Sequence, residues 1–140
     1  MEDPLRQCVG FRLGAVYRRV DRIFNRAYEE LGVSHAHAQI LLCLQGQGEL
    51  RAADLATRTG LDSSTVSRLV KELCRRKLVK RRPAPADGRS QLLSTATRTE
   101  RFCQRLLEHH RRINARLRRE MSDADLEALF RMADLLDRLP

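Results

Sequence analysis

The sequence predicts a mainly α (α+β) fold: a helix-turn-helix running into a two-stranded wing, bracketed by long helices at both ends. Three observations carry this. Apolar residues recur at three- and four-residue steps through most of the chain, the spacing of helices with one buried face. Between Ala52 and Leu78 a short helical stretch meets Gly60 and the apolar pattern restarts at Leu61, which is helix, tight turn, helix. The following LVKRRPAPADGRSQLLS reads as strand, Pro- and Gly-bearing turn, strand.

The 140 residues fit one structural domain with room for a real core. There is no Trp and only 4% of residues are aromatic, so Leu, Val, Ile and Ala must fill that core. The expected partition is a helical dimerisation region, 1–33 and 97–140, around a reading region, 34–96.

From about Pro4 to Leu31 the residues Leu5, Val9, Leu13, Val16, Val20, Ile23, Ala27 and Leu31 keep helical spacing, and Gly32 stops them. One long first helix is expected, with Arg18, Arg19, Arg22 and Arg26 on a solvated face. Ser34 caps a second helix, roughly His35 to Gln45, which turns Ile40, Leu41 and Leu44 inward and ends at Gly46 and Gly48. Glu49 to Arg51 reads as a short strand that pairs with the wing. Ala52 to Thr59 forms the first helix of the motif, with Gly60 suited to its C′ position.

The stretch Leu61 to Leu78 organises the rest. At about 100° per residue, Ser64, Arg68, Lys71 and Arg75 fall together, while Val66, Leu69, Val70 and Leu73 cluster on the opposite side. Asp62 or Ser63 can cap its amino end. The small Ser63, Ser64, Thr65 and Ser67 leave that end slim enough to approach base edges. Beyond the wing, a helix from about Thr97 to Glu120 bears a stripe of Phe102, Leu106, Ile113 and Leu117 with Cys103 and His110 beside it. Ser122 and Asp125 make a capping box that opens a last helix to Leu139, with Leu126, Leu129, Phe130, Ala133 and Leu136 on one face. These terminal stripes exceed what one small domain buries, and the economical partner is a second copy.

Charge indicates what kind of molecule this surface meets. The net charge is +9, and residues 51–90 hold eleven Lys or Arg against four acids. Most of the excess sits on the reading region, which favours a polyanion, double-stranded DNA above all. An anionic membrane would also attract such a surface. However, the longest aliphatic run, Ile40 to Leu44, is far short of a spanning helix and no apolar leader opens the chain, so a cytoplasmic protein without a membrane partner is expected. A single amphipathic basic helix is more often merely solvated. Here the neighbouring turn and wing shift that balance.

Catalysis and metal binding find little support. Cys8, Cys43, Cys74 and Cys103 are widely spaced and read as free thiols. His109 and His110 diverge by about 100°, and Cys103 and His110 lie roughly 10.5 Å apart along a helix. Neither pair can share a zinc ion. No phosphate loop, nucleophile pair or paired carboxylates stand out. No enzyme, metal or cofactor is expected. His110 reads as a hydrogen-bonded core histidine, and a basic protein-interaction module remains an alternative, because fold does not dictate function.

The order of elements resembles the MarR (multiple antibiotic resistance regulator) family of winged-helix transcription factors. The likeness is strongest over DLATRTGLDSSTVSRLVKELCRRKLVKRRPAPADGRS, including the D-x-R element of Asp87, Gly88 and Arg89. It implies a homodimer joined through the first and last helices, with the reading helix in the major groove and the wing arginine in the adjacent minor groove. It places Ser63, Ser64, Thr65, Ser67, Arg68 and Lys71 toward the major groove, Arg89 toward the minor groove, and Asp87 as the brace of the wing. It further implies a small-molecule effector site near His35, His37, Cys103, Leu106 and His110. Some relatives sense peroxide through a cysteine of the first helix, which makes a redox role for Cys8, facing Cys103 across the dimer, the alternative mode of regulation. The chain departs from the family pattern at Lys77, where Gly is usual, and at Thr95, Ala96 and Thr99 after the wing.

On this reading Arg68 is expected to pair bidentately with guanine, while Lys71, Arg75 and Arg82 neutralise phosphate. Two reading helices about 34 Å apart imply a pseudo-palindromic operator, and release by an effector implies a repressor.

Overall fold

The computed structural model describes residues 3–140; residues 1 and 2, the start of the expected dimerisation region, lie outside the described residues. Among the described residues, seven helices and one hairpin follow in order: α1 (Pro4–Gln7), α2 (Val9–Tyr28), α3 (His35–Gln47), α4 (Ala52–Thr59), α5 (Ser63–Arg75), β1 (Val79–Ala84), β2 (Asp87–Thr95), α6 (Glu100–Glu120) and α7 (Asp123–Leu136). Short 3-10 turns at Glu29–Leu31 and Thr97–Thr99 join α2 to α3 and the hairpin to α6. No helix is long and apolar enough to cross a membrane among the described residues.

The expected single first helix is broken. Cys8 takes an extended conformation, its Sγ accepts the Phe11 N–H at 3.5 Å, and a new helix starts at Val9. A one-residue excursion of this kind leaves the apolar spacing intact, so periodicity cannot reveal it. At the other end Gly32 adopts φ 67°, the left-handed conformation that glycine enters at little cost. α3 starts at the Ser34 cap and runs through Gly46 to Gln47, so Gly48 alone ends it.

One buried cluster binds the elements. Phe24, Tyr28 and Leu31 from the end of α2 and its turn meet Ile40, Leu41 and Leu44 of α3, Leu55 of α4 and Leu106 of α6. Val66, Leu69, Val70 and Leu73 of α5 complete it with Val79 and Leu93 of the hairpin. The expected strand at 49–51 is a single bridge, in which Leu50 and Leu93 exchange backbone hydrogen bonds of 3.0 and 2.8 Å. After β2, the Ala96 N–H donates to the Leu78 carbonyl at 3.0 Å and buried Thr99 donates its hydroxyl to the Ala96 carbonyl. The Thr95–Ala96–Thr99 departure thus closes its own turn against the core.

α7 is different. It opens on the Ser122–Asp125 capping box, yet none of its residues is buried. Leu129, Phe130, Leu135 and Leu136 stand 45–59% exposed.

Two local features set the ends of α5. Asp62 accepts hydrogen bonds from the Ser64 hydroxyl (2.7 Å), the Thr65 N–H (2.7 Å) and the Thr65 hydroxyl (2.9 Å). These bonds, the Ser64 hydroxyl foremost, hold its carboxyl down at about 2. Lys77, just past the carboxyl end and at the position where the resemblance led glycine to be expected, has φ 59°.

Left-handed backbone strains a residue with a Cβ by roughly 1–2 kcal/mol, partly offset by the greater entropy glycine loses on folding. Lys77→Gly should therefore raise stability by up to about 1 kcal/mol in chemical denaturation; a destabilised variant would contradict the strain. The Asp62 carboxylate is depressed in the fold relative to roughly 3.9 in the unfolded chain. Its stabilisation is complete above about pH 4 and is lost as the pH falls toward 2. The melting-temperature gap between wild type and Asp62→Ala should narrow across that window, and a gap independent of pH would refute the capping role.

Candidate nucleic-acid interface

The helix-turn-helix is assembled by α4, the left-handed Gly60 (φ 71°) and α5. Burial of Val66, Leu69, Val70 and Leu73 fixes the rotation of α5, and Ser63, Ser64, Ser67, Arg68, Lys71 and Arg75 are left exposed. Thr65 is half-buried. The Ser64 and Thr65 hydroxyls already donate to Asp62, so toward another molecule they offer oxygen lone pairs rather than protons. Arg68 reaches back to Glu72, Nη1 to Oε1 3.0 Å, at an exposed site where such a pair is weak and easily exchanged. Glu72 is also held by His37, Nε2 to Oε2 2.7 Å, and this bond, followed by Arg68, keeps its carboxyl below the usual range.

The wing contains an irregularity that the sequence did not reveal. β1 and β2 pair regularly from Val79↔Thr95 to Pro83↔Gln91, and then Ala84 pairs with Asp87. Gly88, Arg89 and Ser90 therefore bulge from β2 with no partner on β1. Bulges of this kind re-aim side chains, and Arg89, exposed, sits at the centre. Asp87 accepts the Arg89 N–H at 3.1 Å, which braces the turn from within.

Arg82, expected to meet phosphate, is forked on Glu49 in the chain without DNA, with Nε 2.6 Å from Oε1 and Nη2 bonded to Oε2. The side chain missed by sequence reasoning is Arg81. Strand alternation places it on the face of buried Val79, toward α5, whereas Lys80 and Arg82 take the other face. Its Nε lies 3.4 Å from Cys74 Sγ. The signal was available: Val79 is the first buried position of the strand and sets the phase.

A separate cavity of about 520 Å³ opens among α2, α3, α4 and α6. His35 and His110, both expected there, line it. His37, Cys103 and Leu106, also expected, do not: His37 points to Glu72, and Cys103 and Leu106 are turned into the protein with 2% and 0% exposure. Tyr28, Gln39, Cys43 and Arg58 take their places on the wall. His35 stacks on Phe24 at 4.5 Å with planes 8° apart. Its Nδ1 lies 2.8 Å from Asp21 Oδ1 and its Nε2 3.4 Å from Gln39 Nε2, which fits Nδ1–H donating to the carboxylate and Nε2 accepting from the amide. Gln39 Oε1 is buried without a donor among the described residues. Tyr28 OH and His110 Nδ1 are 3.1 Å apart; burial pushes the phenol up to about 12 and lowers the imidazole, His35 and Arg111 adding to the latter. His110 is thus a hydrogen-bonded, half-buried histidine.

The two cysteines of the redox alternative, which pairs Cys8 of one copy with Cys103 of the other, stand in different surroundings. Cys8 is exposed at the start of α2, whereas Cys103 is buried and burial pushes its thiol up, away from the reactive thiolate. Cys43 is partly buried on the cavity wall and its thiol is raised by burial as well. No cluster of three or more candidate metal ligands occurs among the described residues.

No curated protein sequence matches this chain. Residues 31–90, which span the helix-turn-helix and the wing as far as Ser90, match the MarR family model. Among solved structures, BpsR of Bordetella bronchiseptica, whose DNA binding is regulated by 6-hydroxynicotinic acid, superposes with a TM-score of 0.85 at 21% identity over 100% of both chains. A cysteine-to-serine mutant of MarR from E. coli, complexed with operator DNA, gives 0.83 at 18% identity over 99% of this chain and 100% of that one. A probable transcriptional regulator from Pseudomonas aeruginosa gives 0.77 at 26% identity over 94% of this chain and 98% of its own. The segment that carries the reading helix and the wing is a MarR-family segment, and the chain around it has the MarR-family winged-helix fold.

Proposed function

We propose that the chain is a sequence-specific double-stranded DNA-binding transcriptional regulator, acting as a homodimeric repressor that a small-molecule effector releases from a pseudo-palindromic operator. The observation that carries this is the exposed face of α5. Ser63, Ser64, Ser67, Arg68, Lys71 and Arg75 form one small-then-basic surface whose rotation is locked by the apolar residues behind it. Arg68 reads guanine by exchanging Glu72 for the base edge, Lys71 and Arg75 hold phosphate, and Arg89 on its bulge enters the minor groove. Thr65 and Asp87 act from behind, as cap partner and wing brace.

Dimerisation is supported by α7. Its exposed apolar face is joined to four acids and one arginine between Asp123 and Leu136. The groove between α2 and α6 is its complement, lined by apolar Ile23, Ala27, Ile113 and Leu117 with Arg26 and Arg116 against a single acid, Glu120. A second copy's α7 in that groove would cover both surfaces and pair opposite charges.

The effector is best accommodated by the cavity beside His35 and His110. At about 520 Å³ it has the size of sites for small ligands. Aromatic and apolar walls and one guanidinium from Arg58 suit a small aromatic acid. BpsR answers to a molecule of that type.

Arg68→Ala should reduce the preference for operator over unrelated duplex by roughly 5–150-fold, the value of one bidentate base contact at about 1–3 kcal/mol. Equal losses on both duplexes, measured by anisotropy, would remove Arg68 from base reading. By sedimentation the chain should run at twice its 16.1 kDa mass, and Leu129→Glu with Phe130→Glu should yield monomers. A wild-type monomer would defeat the dimer. 6-Hydroxynicotinic acid, or a related hydroxylated aromatic acid, should weaken operator binding by about 5–150-fold, a typical allosteric coupling. That response should fade in Arg58→Ala; an undiminished response would place the effector elsewhere.

A further inference from the structure

A third cleft, about 420 Å³, lies between the amino end of α4, the exposed side of α5 and the bulged part of the wing. Arg51, Arg81 and Arg89 enter its lining from three different elements, together with Ser67. Arg51 and Arg81 bond through their side chains to neutral groups: Arg51 Nη1 to Ser90 Oγ at 3.3 Å, and Arg81 to Cys74 Sγ at 3.4 Å and Gln91 Oε1 at 3.5 Å. The nearest carboxylates in sequence are already engaged, Glu49 by the Arg82 guanidinium, Asp54 by the Arg51 N–H (3.2 Å) and Asp87 by the Arg89 N–H. Among the described residues none of the three guanidiniums has an ion-pair partner, whereas Arg68 and Arg82 each have one.

We propose that this cleft is a phosphodiester-binding site, in which Arg81 and Arg51 clamp the DNA strand that passes between the reading helix and the wing. The inference rests on the DNA-binding reading above and adds to it the path of the backbone. Adjacent major and minor grooves are separated by one sugar–phosphate strand. With α5 in the first groove and Arg89 in the second, that strand crosses the ground between Ser67 and Arg89, which is the mouth of this cleft. Arg81 is held ready there by Gln91 and Cys74, and a guanidinium fork suits phosphate geometry. Arg82, on the opposite face of the strand and already forked on Glu49, serves the wing instead.

The test is the salt dependence of duplex binding by the full-length protein, on an operator-bearing and an unrelated duplex. Each lost phosphate contact should lower the slope of log K against log salt by about 0.9. Arg81→Gln and Arg51→Gln should each show that drop, equally on both duplexes, since phosphate contacts carry no sequence information. Arg81→Lys should retain most of the slope. Arg22→Gln, on α2 and outside the cleft, measures the effect of removing one charge anywhere, and Arg82→Ala should resemble it. Slopes of Arg81→Gln and Arg51→Gln that match Arg22→Gln would overturn the clamp, as would a drop confined to Arg82→Ala. Thermal unfolding checks that each variant is folded, and if Arg81→Gln is not, the Arg51→Gln and Arg81→Lys pair decides. A wild-type protein with no salt-dependent duplex binding would instead defeat the underlying reading.

Discussion

The rotation of one helix is the constraint on which the rest depends. α5 must bury one side to be held and expose the other to be useful, and four apolar residues within eight positions decide which side is which. Val66, Leu69, Val70 and Leu73 sit in the same cluster as Tyr28, Ile40, Leu44 and Leu106. Turning α5 by a single residue, about 100°, would bring charge into that cluster at several kcal/mol per unpaired ion. The basic surface is therefore presented by packing, with Asp62 at one end and the strained Lys77 at the other defining where the helix begins and ends.

Around α5, polar contacts link the reading elements to the remainder of the fold. Glu72 lies between Arg68 on the exposed face and His37 on α3, and Arg76 donates to the Gly32 carbonyl at 2.8 Å. His35, on the same α3, is tied to Asp21 and stacked on Phe24 of α2. A molecule in the cavity beside His35 and His110 would touch the helices that position α5, so its binding free energy can bias the placement of the reading helix. Such a molecule shifts DNA affinity only by the difference in its affinity for the two arrangements.

The wing divides its arginines by the alternation of a strand. Arg81 and Arg82 are neighbours in sequence with opposite surroundings, one facing α5 with only neutral partners and the other forked on Glu49. The bulge at Gly88–Ser90 then lifts Arg89 away from the ladder. Three arginines within nine residues thus acquire different tasks through backbone geometry alone, although their side chains are chemically identical.

Much of this was legible without coordinates, because helical periodicity, caps and turn residues are local. The buried and exposed faces of α5, a cap for it at Asp62 or Ser63, the Ser34 cap, the Gly60 turn, the capping box of α7 and the surplus of apolar surface at the chain ends all follow from spacing and side-chain chemistry. The break at Cys8, the bulge in β2, the Arg82–Glu49 fork and the removal of His37, Cys103 and Leu106 from the cavity do not. Each depends on which distant groups become neighbours: Glu49 reaches Arg82 only because Leu50 pairs with Leu93, and His37 leaves the cavity because Glu72 lies across from it. Composition and periodicity by themselves determined that the chain would hold a basic helix against an apolar core; only the tertiary structure decided which cations stay unpaired, because pairing is settled by distance in space rather than by position along the chain.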